Sequence, residues 1–117
     1  MEINNITLGI VGPCASGKTS LTKGLNQYGI NAKHIAQEHS YVKDMWKRLS
    51  NPDILIYLDV SYKLSIKRKR LNWTYNEYQV QIDRLAHARD HADLYIHTDD
   101  LSIDQVLGIV INYLRER

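Results

Sequence analysis

An α/β fold built on a small, mainly parallel sheet of about four strands, flanked by helices, is the architecture this sequence predicts. Three observations predict it. Strand-like and helix-like segments alternate along the chain, which is the pattern a parallel sheet with crossover helices requires. The turn Gly12-Pro13-Cys14-Ala15-Ser16-Gly17-Lys18-Thr19 follows the apolar run Ile6-Thr7-Leu8-Gly9-Ile10-Val11 and precedes a helical pattern. The run Ile54-Leu55-Ile56-Tyr57-Leu58 is continuously apolar, as expected of a strand covered on both faces.

Taken in order, the first strand ends at Val11 and the glycine-rich turn follows it. Leu21, Leu25 and Tyr28 recur at helical spacing and Gly29 stands where a helix stops, so the first helix ends near Tyr28. Ile30 to Ala36 alternates weakly and reads as a second strand. Ser40 then stands as a cap ahead of Val42, Met45, Trp46 and Leu49, a helical set broken by Ser50-Asn51-Pro52. Beyond the strand at 54–58, Ser61 to Lys69 reads as a helix that becomes increasingly basic. Thr74-Tyr75-Asn76-Glu77 has capping-box spacing and opens a helix to about Ala88. Leu94-Tyr95-Ile96-His97 is a further strand. Ser102-Ile103-Asp104-Gln105 caps a last helix with the stripe Ile103, Val106, Leu107, Val110, Ile111 and Leu114.

The 117 residues leave room for one domain, 1–117, and no linker or repeat divides them. Fifteen basic residues against 13 acidic ones leave no broad positive footprint, so nucleic acid is not the expected partner. The lone Cys14 cannot form an internal disulfide, which fits a reducing cytoplasm. Met1-Glu2-Ile3-Asn4-Asn5 lacks the features of a secretion signal and no segment has membrane-spanning length, so a cytoplasmic protein without membrane contact is expected. A four-stranded sheet with open edges and limited burial favours a homo-oligomer, in the simplest case a homodimer.

The chemistry lies in the turn. Its small residues let backbone N–H groups converge on a polyphosphate while the following helix directs its positive end at the same charge. From average residue frequencies the pattern arises by chance in about one chain of this length in a few hundred, and the strand before it and helix after it make chance rarer. The predicted nucleotide-binding set is Gly12, Pro13, Cys14, Ala15, Ser16, Gly17, Lys18, Thr19 and Ser20. Lys18 bridges the outer phosphates and Thr19 offers its hydroxyl to Mg²⁺. In a parallel sheet the ligand lies beyond the carboxyl ends of the strands, where Gln37-Glu38-His39 also falls. There Glu38 can hold a magnesium-bound water or accept a proton from an attacking hydroxyl. The five histidines are scattered without zinc-type spacing. Trp46 reads as core or subunit interface, and Trp73 as the tryptophan that contacts something outside the fold.

With the phosphate loop, three further runs carry a resemblance: Tyr57-Leu58-Asp59-Val60-Ser61 with Arg68 following, Arg84 ahead of Ala92-Asp93, and Thr98-Asp99-Asp100-Leu101-Ser102. Together they resemble the small P-loop kinases of the shikimate, adenylate and cytidylate kinase group over about two thirds of the chain. The resemblance implies a three-layer P-loop NTPase fold, ATP and Mg²⁺ as cofactors, and transfer of the γ-phosphate to a small-molecule acceptor. It places Arg68 beside the adenine at the start of a basic lid near 67–74, and Asp99 in a loop touching the base from the other side. Arg84 matches an arginine that faces the phosphates or the acceptor, and Asp59 matches a structural turn. Lys18, Arg84 and Glu38 thus form the expected catalytic set, with Thr19 and Glu38 at the metal. Fewer than twenty residues separate Ala36 from Ile54, where these kinases place another strand and an acceptor-binding region. That shortening keeps open an alternative, a nucleotide-binding or slowly hydrolysing regulatory NTPase module without a small acceptor.

Overall fold

The computed structural model describes residues 5–69 and 72–117. Residues 1–4 of the leader reading, and Arg70 and Leu71 of the basic lid, lie outside the described residues. The strands β1 (Thr7–Val11), β2 (Asn31–His34), β3 (Ile54–Asp59) and β4 (Leu94–His97) form one sheet in the order β2-β1-β3-β4, with every neighbouring pair parallel. The helices are α1 (Lys18–Gln27), α2 (Met45–Leu49), α3 (Tyr62–Lys69), α4 (Tyr75–His91) and α5 (Ile103–Arg115).

Alternation along the strands divides the core between the two faces of the sheet. Leu8, Ile10, Ile54, Ile56 and Leu58 pack with Leu21 and Leu25 of α1 and with Val106, Val110 and Leu114 of α5. Val11, Leu55 and Tyr57 point the other way, onto Leu85 and Ala88 of α4 and Trp46 of α2. The continuously apolar β3 is therefore covered on both sides. From β1 the chain turns to β2 on one side, while β3 and β4 lie on the other. The carboxyl ends of β1 and β3 thus flank the point where the winding reverses, the crevice in which open α/β sheets hold ligands.

Both capping boxes form as the spacing predicts. The Thr74 side chain accepts from the Glu77 amide and the Ser102 side chain from the Gln105 amide, with the reciprocal bonds present. The fourth helix runs on to His91, three residues beyond the expected end. The largest departure lies between β2 and β3. Ser40 closes a turn, its Oγ accepting from the Val42 amide at 3.1 Å, and α2 begins only at Met45. The cause is the buried Gln37, whose Nε2 donates to the Val42 carbonyl and whose Oε1 accepts from the Trp46 amide at 2.8 Å. Trp73 also departs from expectation. Its indole donates to Ser65 Oγ and stands edge-on to Tyr78, which engages it within the fold.

Candidate functional site

Residues 12–19 adopt a tight, strained turn. Ala15 and Gly17 both lie at positive φ, 70° and 100°, and the Ser16 amide donates to the Pro13 carbonyl at 3.1 Å. Gly12 is required by space, because a Cβ there would stand 2.2 Å from the Leu58 carbonyl oxygen. Gly17 is the N-cap of α1, with no side-chain cap and no acidic residue in the first turn. The opening N–H groups and positive dipole end of α1 are thereby left unanswered by the helix itself.

Lys18 folds back over the loop. Its Nζ donates to the carbonyls of Gly12 at 2.6 Å and Pro13 at 3.2 Å, and lies 2.7 Å from Glu38 Oε2. Glu38 reaches it from the 3-10 turn Gln37–His39, which follows β2 and is held to the end of β1 by the Ile35 amide on the Ile10 carbonyl. The pair is deeply buried, Lys18 at 9% and Glu38 at 4% exposure. Removing one member of such a pair costs about 3–5 kcal/mol, because the survivor is left charged and dry.

Two polar atoms at this place find no hydrogen-bond partner among the described residues: Ser16 Oγ and Glu38 Oε1. A buried acceptor or hydroxyl in that condition costs about 1–3 kcal/mol, a sum that a bound ligand or cation returns. Both residues line a cavity of about 780 Å³ at the carboxyl end of the sheet. Its floor is the loop from Cys14 to Ser20, its β2 wall His34, Ala36, Glu38 and His39, and its far wall Leu58, Arg68, Thr98 and Leu101 with the start of α5. The size falls within the range of about 300–1,000 Å³ typical of small-molecule sites.

Of the residues expected from sequence, Cys14, Ala15, Ser16, Gly17, Lys18, Thr19, Ser20, Glu38 and Arg68 meet around this cavity. Gly12 and Pro13 sit beneath it and hold Lys18 through their carbonyls. Arg68 spans the loop and the β4 end, with Nη1 2.9 Å from Thr98 Oγ1 and 3.4 Å from the Ala15 carbonyl, and Nη2 on the Thr98 carbonyl. Arg84 takes another position. It donates to the Glu38 carbonyl at 3.3 Å and lies 4.5 Å above the Tyr41 ring, outside the cavity wall. Asp99 is turned toward α3, its Oδ1 accepting from the Ser61 amide at 2.9 Å. Burial pushes the Asp99 carboxyl up, but the Ser61 hydrogen bonds, His97 and Arg68 together hold it below the usual carboxylate value. Asp59 is engaged by the Tyr95 hydroxyl and by His97 at 3.7 Å, on the α4 side of the sheet.

Sequence reasoning passed over Gln81. From α4 it clamps the loop, its Oε1 accepting from the Cys14 amide at 2.9 Å and its Nε2 donating to Cys14 Sγ at 3.1 Å. A glutamine on the inward face of a helix, 67 residues from its partner, carries no local signal. Ile103 and Val106 were expected only as a packing stripe, yet both also line the cavity.

No protein-family model matches the chain, and no curated protein matches it. Among solved structures it is similar to the crystal structure of an uncharacterized protein from Eubacterium ventriosum ATCC 27560. The two are 14% identical with a TM-score of 0.62, over 96% of this chain and 99% of the other. At that identity the likeness shows the fold, an α/β domain on a small parallel sheet. Among the described residues no helix is long and apolar enough to cross a membrane.

Proposed function

We propose that this chain is an ATP-binding P-loop protein that acts as a minimal kinase, transferring the γ-phosphate of ATP to a small-molecule acceptor. The observation that carries the reading is the pairing of Lys18 with Glu38 at 2.7 Å on the floor of the cavity, beside the uncapped start of α1. Phosphoryl transfer asks a protein mainly for positioning and positive charge. The amides at the start of α1 receive the phosphates, and Lys18 exchanges its Gly12 and Pro13 carbonyls for phosphate oxygens. Glu38 orients the attacking hydroxyl and takes its proton. Arg68, at the cavity wall, stands beside the base.

The donor set fits magnesium: the free Glu38 Oε1 is an oxygen ligand already desolvated, and the Thr19 hydroxyl borders the same cavity. When bound, the ion neutralises charge on the outer phosphate oxygens. A screen of hydroxyl- and phosphate-bearing metabolites tests the proposal. One or more should accelerate ADP release over the acceptor-free rate, and a flat screen would exclude the kinase.

A specific observation favours a second reading, a nucleotide-binding or slowly hydrolysing regulatory module. Between the 3-10 turn and β3 the only helix is α2, whose Trp46 is spent on the core and none of whose residues borders the cavity. No described element from that stretch builds a wall for an acceptor.

A further inference from the structure

We infer that Cys14, Glu38 and His39 form, in the nucleotide-free protein, a binding site for a thiophilic divalent cation of the zinc class, which shares Glu38 Oε1 with the magnesium that accompanies a nucleotide and therefore excludes it. One donor atom from each residue lies within 4.8 Å of the other two. A tetrahedral zinc ion holds sulfur and nitrogen donors at about 2.3 and 2.0 Å, which separates neighbouring donors by about 3.3–3.8 Å. The three therefore need to close by about 1 Å.

The local structure permits that closure. His39 is exposed at the end of a three-residue turn, so its ring is able to turn toward the other two donors; its Nε2 already stands 3.8 Å from the Glu38 carboxylate, at Oε2. Glu38 is nine-tenths buried or more and has one oxygen committed to Lys18 and the other, Oε1, without a partner. A cation can thus take the free oxygen without breaking the ion pair. Cys14 Sγ is held in place by the Gln81 amide, and the half-buried Cys14 borders the cavity.

The donor types choose the ion. Sulfur and imidazole nitrogen favour zinc, cobalt or copper, whereas magnesium takes oxygen ligands. Three protein donors leave a fourth tetrahedral position for water or a substrate oxygen. Binding displaces the Cys14 thiol proton to solvent and leaves a thiolate on the ion. The Cys14 thiolate and the Glu38 carboxylate face the dication together with the Lys18 ammonium, which leaves one net positive charge for a water-derived or substrate anion in the fourth position.

Cobalt(II) is the probe, titrated into the nucleotide-free protein in excess magnesium. A saturating 1:1 spectrum with intense tetrahedral d–d bands and a thiolate-to-cobalt charge-transfer band is expected, and added zinc should displace it. Cys14→Ser should abolish the charge-transfer band, and His39→Ala should weaken binding by at least about tenfold. Since His39 is a surface residue, the second variant reports even where the first is poorly folded. The stacked pair His87 and His91, with ring centroids 4.2 Å apart, is the competing place for adventitious metal. Binding that survives His39→Ala but is lost in His91→Gln would overturn the inference, as would six-coordinate, weakly absorbing cobalt or no uptake. No nucleotide enters this titration, so its failure leaves the ATP reading standing, and failure of ATP binding leaves the metal result standing.

Discussion

Lys18 is the residue at which stability and affinity meet. Its ammonium neutralises Glu38 in the folded protein and is the charge that phosphates would recruit. Lys18→Ala alone should therefore abolish nucleotide affinity and also destabilise the protein by about 3–5 kcal/mol, because Glu38 is left buried and unpaired. Replacing both residues, Lys18→Met with Glu38→Gln, should restore most of the stability in a urea titration while leaving nucleotide affinity lost. If the double variant remained as unstable as the single, the buried charge would not be the cause. The carboxylate of Asp99 gives a second prediction at this scale. Its folded pKa is depressed, so its bond to the Ser61 amide stabilises fully above the ordinary value of 3.8 and is lost as pH falls through the folded value. Asp99→Asn should cost about 1.5 kcal/mol at neutral pH, with the deficit shrinking in acid below pH ~4. A deficit independent of pH would count against the charge.

At the scale of elements, the local signals in the sequence are those that the structure realises most closely. Thr74 with Glu77 and Ser102 with Gln105 specify two helix starts within four residues each, and no distant contact competes with them. The stretch from Ser40 to Leu49 fails as a local reading for the opposite reason. Gln37 fills the bonds that a helix from Ser40 would have used, and ties in Arg84 of α4 by donating from Nε2 to its carbonyl at 3.2 Å. The site follows the same division. The glycine-rich turn is contiguous, so residues 12–20 could be singled out together, whereas Gln81 and the meeting of Cys14 with His39 depend on how the crossovers return. Arg68 belongs to this scale because it ties α3 to the loop and to β4. Arg68→Ala should lower affinity for ATP more than for inorganic triphosphate, and equal losses would remove it from the base.

Across the whole molecule, the fold brings the ends of all four strands to one side, and the order β2-β1-β3-β4 sets the cavity at the reversal of winding. The parallel sheet and its two-sided cover were legible because β3 is apolar without interruption and the strands alternate with helices. The same sheet weakens the edge-based case for a homodimer. Both edge strands are only four residues long and β2 carries an exposed Lys33, features that blunt pairing with another chain. What the architecture presents is a crevice built around one lysine and one carboxylate, with the uncapped start of α1 beneath it. Isothermal titration of the folded protein with ATP, with and without magnesium, addresses that arrangement most directly. Saturable 1:1 binding that requires magnesium and vanishes in the Lys18→Met, Glu38→Gln protein is the predicted result; no heat with any purine triphosphate would contradict it.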